Sequence, residues 1–511
     1  PVDVVGQEEL SQRGAPSMVQ FIKSIPSSGA VLGENNRFGG GNGVSTVNLR
    51  NLGSNRTLVL MNGHRIAGTT RSGGGVDLNT LPNNAIARID VLKDGAAATY
   101  GSDAIGGVVN FITRTDLNGW EFSGQYQAIQ GSNGDYNAGL AWGHKGERGN
   151  VLLTANYRAR SKLPVEERDW ALRTGYAGYL QNPLGGWAGT GNPGIYNTAT
   201  TPPVGTAQTG FTTAAFTGNL PDIGCLANGG VPAAVGSLTI TGTQCAFQYT
   251  TFDNLVEDER NLQTYGEVNF DLTDRIRFHG GVTYAFNTTP HQSWAVTGPN
   301  QWPAPIQPNN VTIGGGYSPI PAANNSDQSR YYIPNTNPGL IAMVNQINGA
   351  TCSGSVLPFG TNAANCATIL AGAQAQTANA LAYGVAPSQS SWRPIGFAGD
   401  PSSDDLHAHY SYKTTSFRID GGFKGDFANG IGWETSVLYQ NVKYDATLSD
   451  IAVNRLQLAL EGLGGPSCSA LNAQGAPNLA NAGNEAAGCY YFNPFTNAFA
   501  TSLSGDTPNP Y

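Results

Sequence analysis

RIDVLKDGAAATYGSDAIGGVVNFITR, residues 88–114, is the stretch on which the reading of this chain turns. A short strand is predicted over Ile89 to Leu92, and a second apolar run, Val108 to Ile112, follows it. Gly95, Gly101, Gly106 and Gly107 lie between the two runs, where they permit turns and a close approach of backbone to backbone that a Cβ would block. Taken alone, glycine-rich strands of this kind also suit a buried strand pair of an α/β enzyme. What comes after Arg114 is a different type of sequence, so the segment marks a junction.

Two upstream stretches, VNLRNLGSNRTLVLMNGHRIAG (47–68) and VDLNTLPNNAIARIDVLKDG (76–95), extend the pattern. Leu58 to Met61 is a continuous apolar run ending in Asn62-Gly63, the strongest short hairpin signal, so the chain should reverse and return through His64 to Ala67. Pro82 suits the first turn of a short helix, with Thr80 as its cap, and Pro1 to Val5 reads as a first strand. GENNRFGGGNG (33–43) and TTRSGGG (69–75) are too rich in glycine to pack a core and read as exposed loops. Together these stretches closely resemble the plug domain of TonB-dependent outer-membrane receptors, over nearly all of residues 1–115.

Composition bounds the remainder. The chain has 511 residues, a formal net charge of −8 and 12% charged residues, a balance that argues against a nucleic-acid partner. Its mean hydropathy is −0.25, and no apolar run approaches the roughly 18 residues a membrane helix needs. A glycine count of 68 and 21 tyrosines, beside 3 methionines, instead suit a β-rich protein with many turns. A transmembrane barrel can be this polar on average, because only alternate residues meet lipid.

Strict alternation recurs after Asn118. Between Arg275 and Asn287 one face carries Ile276, Phe278, Gly280, Val282, Tyr284 and Phe286, and the other Arg275, Arg277, His279, Thr283 and Asn287. Residues 262–272 repeat the pattern, with Val268 and Phe270 against Gln263, Glu267, Asn269 and Asp271. Residues 417–427 do the same, with Ile419 and Phe423 against Arg418, Asp420, Lys424 and Asp426. Residues 120–130, 136–144, 151–160 and 433–442 complete a set of seven predicted strands. Their connections are by turns short (145–150, 273–274, 428–430) and long (161–260, 288–412, 447–511), as an outer-membrane barrel requires; 131–135 is a short outer connection.

The expected fold is therefore an α+β plug domain, residues 1–115, inside a transmembrane antiparallel β-barrel. The N-terminal portion of that barrel occupies 116–511, with long extracellular loops at 161–260, 288–412 and 447–511. Plugged barrels of this kind have about twenty-two strands, so seven leave the wall incomplete. With neither a signal peptide nor a TonB box ahead of Pro1, the chain is expected to be an internal portion of a longer protein, or one part of a split receptor.

All six cysteines fall in the long connections, two in each: Cys225 with Cys245, Cys352 with Cys366, and Cys468 with Cys489. Loop-local disulfides need no contact between distant loops, and they imply an oxidising compartment such as the cell surface. Zinc is disfavoured, since there is no CxxC and no histidine at ligand spacing beside them. His407 and His409 alternate beside Tyr410, but two histidines alone make a weak site, and no metal or other cofactor is expected. Residues 450–462, with Val453, Leu456 and Leu460 at helical spacing, predict a short helix, and 367–383 a second. Such loops are expected to be ordered caps where a ligand arrives.

The resemblance implies a protein of the Gram-negative outer membrane that binds a scarce solute outside and imports it to the periplasm. Its implied partners are TonB with its inner-membrane motor, outer-membrane lipid and lipopolysaccharide, a small-molecule, carbohydrate or chelate ligand and, as a further candidate, a surface lipoprotein. Arg50 and Arg88 match plug positions that in the family pair with wall carboxylates, a task suited to a guanidinium fork; Glu121, Glu267, Asp420 and Glu434 are the candidate partners. Arg37 and Phe38 in the first apical loop and Arg71 in the second combine cation and aromatic surface, and are candidate ligand residues. The segment LEGLGGPSC…GCYYFNPF (460–495) is similar to that of receptors many of which take up carbohydrates or other organic nutrients. No G-x-S-x-G, H-E-x-x-H, P-loop or EF-hand occurs, and an enzyme is not expected. The competing expectation is a surface protein on the same architecture, acting as an adhesin, a partner-binding scaffold or a signalling receptor.

Overall fold

The structure is a computed structural model. It describes residues 2–6, 18–23, 28–29, 43–69, 74–93, 97–171, 179, 181, 187–188, 195–206, 210–212, 216–225, 230–231, 246–248, 254–294, 328–329, 332–354, 357–359, 363–387, 408–447 and 453–495. Two compact units emerge. The first takes residues 1–167, 254–292 and 410–447; the second takes 168–253, 293–409 and 448–511.

In the first unit, five strands form a mixed sheet: β1 (Val2–Gly6), β2 (Thr57–Met61), β3 (His64–Arg65), β4 (Ile86–Leu92) and β5 (Gly107–Thr113). Their order is β1-β4-β5-β2-β3, with β2 parallel to β5 and the other pairs antiparallel. The apolar run of β2 is continuous because both its faces are covered. Val59 and Met61 join a core with Ile22, Leu49, Ile89, Val91, Val109 and Phe111, while Leu58 and Leu60 pack with Ala104 and Val108. The predicted hairpin is present: Asn62 (φ 52°) and Gly63 (φ 84°) both take left-handed backbone, the signature of the turn that matches strand twist. Gly107 (φ 133°) justifies the glycines of the opening segment, since a Cβ there would lie 2.6 Å from the Leu92 carbonyl oxygen and 2.7 Å from Leu49. Asp77 caps a short helical turn, Leu78–Thr80, its Oδ1 accepting from Asn79 N and Ser45 N, both at 3.1 Å. One local expectation is corrected: the turn at Pro82, Asn83–Ala85, has Pro82 itself at its N-cap and no side-chain cap, because the Thr80 hydroxyl donates instead to the Asp77 carbonyl at 2.7 Å.

Seven further strands follow: β6 (Gly119–Gln127), β7 (Asp135–Gly146), β8 (Gly149–Arg160), β9 (Glu259–Thr273), β10 (Ile276–Trp294), β11 (Ala408–Asp426) and β12 (Gly432–Thr447). They pair in chain order as one antiparallel sheet, open at β6 and β12 among the described residues. Tight turns join β7 to β8 (Gly146 opposite Gly149) and β9 to β10 (Thr273 opposite Ile276), while β8 and β9 meet only across a long excursion (Arg160 opposite Glu259). One face of the wall is buried, carrying Glu259, Asn261, Gln263, Tyr265 and Glu267 on β9, and Tyr412, Thr414, Ser416, Arg418 and Asp420 on β11. The other face exposes Leu153, Tyr157, Val282, Tyr284, Phe417, Ile419, Val437 and Tyr439.

Aromatic residues collect at both ends of that outward face. At the short-turn end Trp120 pairs with Trp142, and Phe278 with Phe423; toward the other end Tyr126 pairs with Tyr136. From Leu262 to Phe270 the strand covers roughly 27 Å at about 3.4 Å per residue, or roughly 20 Å along the membrane normal at a tilt of about 40°. An apolar band flanked by aromatic girdles is what a lipid-facing wall needs.

The second unit has a core of its own. Three strands, residues 216–221, 195–199 and 385–387, pair in that order. Against them lie helices α1 (Pro338–Gly349), α2 (Ala363–Tyr383) and α3 (Val453–Leu460). Leu340, Met343, Val344 and Ile347 make the buried stripe of α1 and meet Tyr196, Leu220, Leu370, Leu456, Phe492 and Phe495. Asn337 caps α1, accepting from Gly339 N, and its own amide donates to the carbonyls of Leu460 and Phe492, each at 3.0 Å. The disulfides Cys352–Cys366 and Cys468–Cys489 are formed. Cys225 is also disulfide-bonded, whereas Cys245 lies outside the described residues.

The Cys352–Cys366 bridge closes a separation of 14 residues, so replacing both cysteines by alanine should cost about 3 kcal/mol. Near-ultraviolet circular dichroism along a urea titration reads this; an unchanged midpoint would show that the bridge is ornamental. The unit should also respond to pH. Burial pushes the Glu461 carboxyl above its ordinary 4.5, although Gln457 Nε2, at 2.7 Å, opposes the shift. A raised carboxyl favours the neutral acid in the folded state. Its contribution is full below the ordinary carboxylate range and is lost as pH rises through the raised value. Burial, reinforced by Glu461, likewise pushes the Tyr332 hydroxyl up to about 12, a contribution lost between 10 and 12. Unfolding midpoints measured from pH 4 upward should fall in the native protein and flatten in Glu461→Gln; a slope of opposite sign would contradict the assignment.

Candidate functional site at the plug–wall interface

The five-stranded domain meets the buried face of the wall through polar side chains. At the centre is Glu267 on β9, 4% exposed. Its Oε2 accepts from Thr113 at the end of β5 (2.5 Å) and from the Tyr265 hydroxyl (2.6 Å), and its Oε1 accepts from Asn269 Nδ2 (2.5 Å). Thr113 is tied to the hairpin tip, since Asn62 Nδ2 donates to its hydroxyl oxygen at 2.8 Å. From Asn269 the chain of contacts continues through His279 Nδ1 (2.9 Å), then from His279 Nε2 to Asp420 Oδ2 (3.0 Å), and from Asp420 Oδ1 to Arg418 (2.5 Å). Three neighbouring strands thus carry one continuous polar run that ends on the mixed sheet.

A second set holds the helical turns of residues 78–85. Asn261 Nδ2 and Gln263 Nε2 each donate to the Asn79 carbonyl at 2.9 Å, and Gln263 Oε1 accepts from Asn83 N at 3.2 Å. Arg158 reaches Asn79 Oδ1 at 3.3 Å and is ion-paired with Glu259; the two side chains are 3% and 1% exposed. Elsewhere Asn287 donates to the Gly43 carbonyl (2.9 Å), and Gln440 Oε1 accepts from Ala67 N (2.8 Å). Of the described wall residues, Leu152 and Tyr265 are those that join the apolar core of the domain. A cavity of about 450 Å³ opens toward the short-turn end, bounded by Asn62, His64, Thr113, Glu267, His279 and Asp420 among others.

Each candidate carboxylate has a defined place. Glu121 on β6 receives both Nη atoms of Arg114, at 3.0 and 2.8 Å. Glu267 and Asp420 belong to the polar run just described, and Glu434 Oε1 lies 3.6 Å from His64 Nε2 at the hairpin. The two candidate latch arginines lie within the mixed-sheet domain. Arg88, half exposed, bonds through Nε to Asp90 Oδ1 at 3.1 Å on its own strand. Arg50, at φ 55°, donates through Nε to the Gly106 carbonyl at 3.2 Å and through Nη2 to the Ile105 carbonyl. Arg37, Phe38, Arg71 and His407 lie outside the described residues, as does the side chain of His409. The sequence reasoning missed Arg114, Thr113, His64 and the Arg158–Glu259 pair. Arg114 was the one with a readable signal, as the last residue of the opening segment, seven positions before Glu121.

Comparison with known proteins agrees with this geometry. Residues 1–108 match the family model of the TonB-dependent Receptor Plug Domain. The chain is similar to the iron-regulated outer membrane virulence protein of Vibrio cholerae serotype O1, 34% identical over 133 residues, covering 25% of this chain and 19% of that protein. It is likewise similar to the vitamin B12 transporter BtuB of Photobacterium profundum, 36% identical over 140 residues, covering 27% and 21%. The matches therefore span about a fifth of each relative's length. Among solved structures it aligns with the ferric enterobactin receptor PfeA of Pseudomonas aeruginosa at 12% identity and a TM-score of 0.40, covering 87% of this chain and 41% of that one. Residues 1–108 thus match a TonB-dependent receptor plug, and the relatives that the chain resembles are proteins and transporters of the Gram-negative outer membrane.

Proposed function

We propose that this receptor binds a scarce solute at the extracellular face and imports it to the periplasm, with energy delivered by TonB and its inner-membrane motor. The observation that carries this reading is the chemistry of the plug–wall contact. It is made largely of hydrogen bonds from Glu267, Asn261, Gln263, Asn287 and Gln440, which water can replace as the plug shifts, whereas an apolar seam would resist wetting. In this reading residues 1–115 are the plug, and residues from 116 onward supply wall and extracellular loops. Glu121, Glu267 and Glu434 hold the closed state through Arg114, Thr113 and His64. Arg50 and Arg88 brace the plug internally, and Arg37, Phe38 and Arg71 meet the ligand at its apex. The similarity of the 460–495 segment to nutrient receptors favours a carbohydrate or other organic compound over an iron chelate.

Accumulation of labelled candidate solutes by cells is the test. Deletion of the gene, or dissipation of the proton gradient, should abolish uptake of the true substrate. If every candidate accumulated equally under both treatments, transport would be excluded and the surface-receptor reading would replace it.

A further inference from the structure

His279 of β10 stands between two hydrogen-bond acceptors. Its Nδ1 is 2.9 Å from Asn269 Oδ1 on β9, and its Nε2 is 3.0 Å from Asp420 Oδ2 on β11. The Asn269 amide is held in this orientation from its other side. Its Nδ2 donates to Glu267 Oε1 at 2.5 Å and to Asn150 Oδ1 at 3.2 Å, so reversal would set Oδ1 against a carboxylate oxygen. A neutral imidazole has one N–H and satisfies one of these neighbours, leaving the other facing it lone pair to lone pair. Both contacts are made only when the ring carries two protons. Arg418 keeps Asp420 in its charged form from the far side, at 2.5 Å, so the second proton belongs to the ring.

The charges around His279 are otherwise matched. Asp271 and Arg277 pair with each other at 2.5 Å, and Glu434 lies 3.6 Å from His64 on the plug hairpin. Lys145 and Glu147 from the β7–β8 turn and Lys424 from β11 are exposed where the cavity opens. His279 itself is 21% exposed along that cavity, which gives its proton a path to water, while Asp420 is 4% exposed.

Loss of the proton has a defined path into the plug. The remaining N–H stays on Nε2, facing the carboxylate, and Nδ1 then presents a lone pair to Asn269 Oδ1. The amide turns to offer Nδ2 to the ring, which brings Oδ1 against Glu267 Oε1. Glu267 loses a donor and gains a repulsion, and its Oε2 is the atom that receives the Thr113 hydroxyl at the end of β5.

We propose that His279 is an imidazolium that positions the plug seat, its second proton fixing the Asn269 amide that holds Glu267 beneath Thr113. This rests on the reading that the Glu267–Thr113 contact seats the plug. His279 touches neither the plug nor a solute in this role; it acts through Asn269.

Two measurements on the full receptor in phosphatidylcholine nanodiscs test it. With 15N-labelled histidine, and His279→Gln to assign the signal by difference, both ring nitrogens should be protonated at about pH 7.5, where a free imidazole is mostly neutral. Hydrogen exchange at β5, Gly107–Thr113, corrected for the intrinsic rise of amide exchange with pH, should quicken about fivefold between roughly pH 6.5 and 8.5. Asp420→Asn offers an amide N–H to Nε2 and still accepts from Arg418, so its ring should be neutral and its β5 exchange independent of pH. A ring with one proton in the wild type, exchange that ignores pH, or a response in Asp420→Asn equal to the wild type would each overturn the proposal. Should Asp420→Asn not fold, the two wild-type measurements decide alone. Glu267→Ala separates the two readings: unchanged β5 exchange in that variant sinks the seat and the coupling with it, whereas a singly protonated ring sinks the role of His279 and leaves the seat standing.

Discussion

Replacing Arg158 by alanine should destabilise the plug-bearing unit by about 3–5 kcal/mol, because it leaves the Glu259 carboxylate buried without its cation. Both side chains are almost fully buried, and Asn79 at the plug's helical turns loses a donor in the same step. The damage comes from the stranded charge rather than from the pair's own value, so the double variant Arg158→Ala/Glu259→Ala should recover much of the loss. Thermal unfolding in detergent of the two single variants and the double one makes the cycle. A double variant as unstable as the sum of the singles would show that the two residues act independently.

Glu267→Ala should be nearly as costly, roughly 3–4 kcal/mol. Its carboxylate accepts three hydrogen bonds, from Thr113, Tyr265 and Asn269, and hydrogen bonds to charged groups contribute about 1.5–3 kcal/mol each, with partial relaxation through water once the side chain is gone. The effect is also functional, since Thr113 ends the plug strand and anchors the hairpin tip through Asn62. Cells carrying Glu267→Ala should admit large hydrophilic antibiotics that wild-type cells exclude, while Glu267→Gln, which keeps an acceptor in place, should leak much less. Equal exclusion by wild type and Glu267→Ala would mean that the plug's seat is held elsewhere.

Much of the architecture was legible because it depends on local rules. The Asn62-Gly63 turn could be read directly, since few residue pairs tolerate two consecutive left-handed conformations. The wall could be read from alternation, since lipid and a polar interior impose a period of two. Strand ends were underread: β10 runs on to Trp294 and β11 begins at Ala408, and Thr288 and Lys413 interrupt the apolar alternation before those ends are reached. Helix α1 was missed although Asn337-Pro338 is a good start signal, because the surrounding Pro, Asn and Gly read as loop. Pairing across the interface was the least legible. Thr113 meets Glu267 across 154 positions, and Arg158 meets Glu259 across 101, and nothing but strand register brings them together. By contrast the partner of Arg88, two residues along its own strand, needed no register at all.

The second unit draws one fold from three connections that are far apart in the chain. Residues 195–199 pair with 385–387, the Tyr196 hydroxyl donates to the Pro494 carbonyl at 3.1 Å, and Asn337 bonds to Leu460 and Phe492. Among the described residues, the largest core of this unit draws side chains from all three connections. These loops must therefore change as a set: a substitution in one connection's share of that core selects compensating changes in the other two. Transplanting a single loop onto a related wall should yield a misfolded surface, whereas transferring all three together should keep their shared core intact.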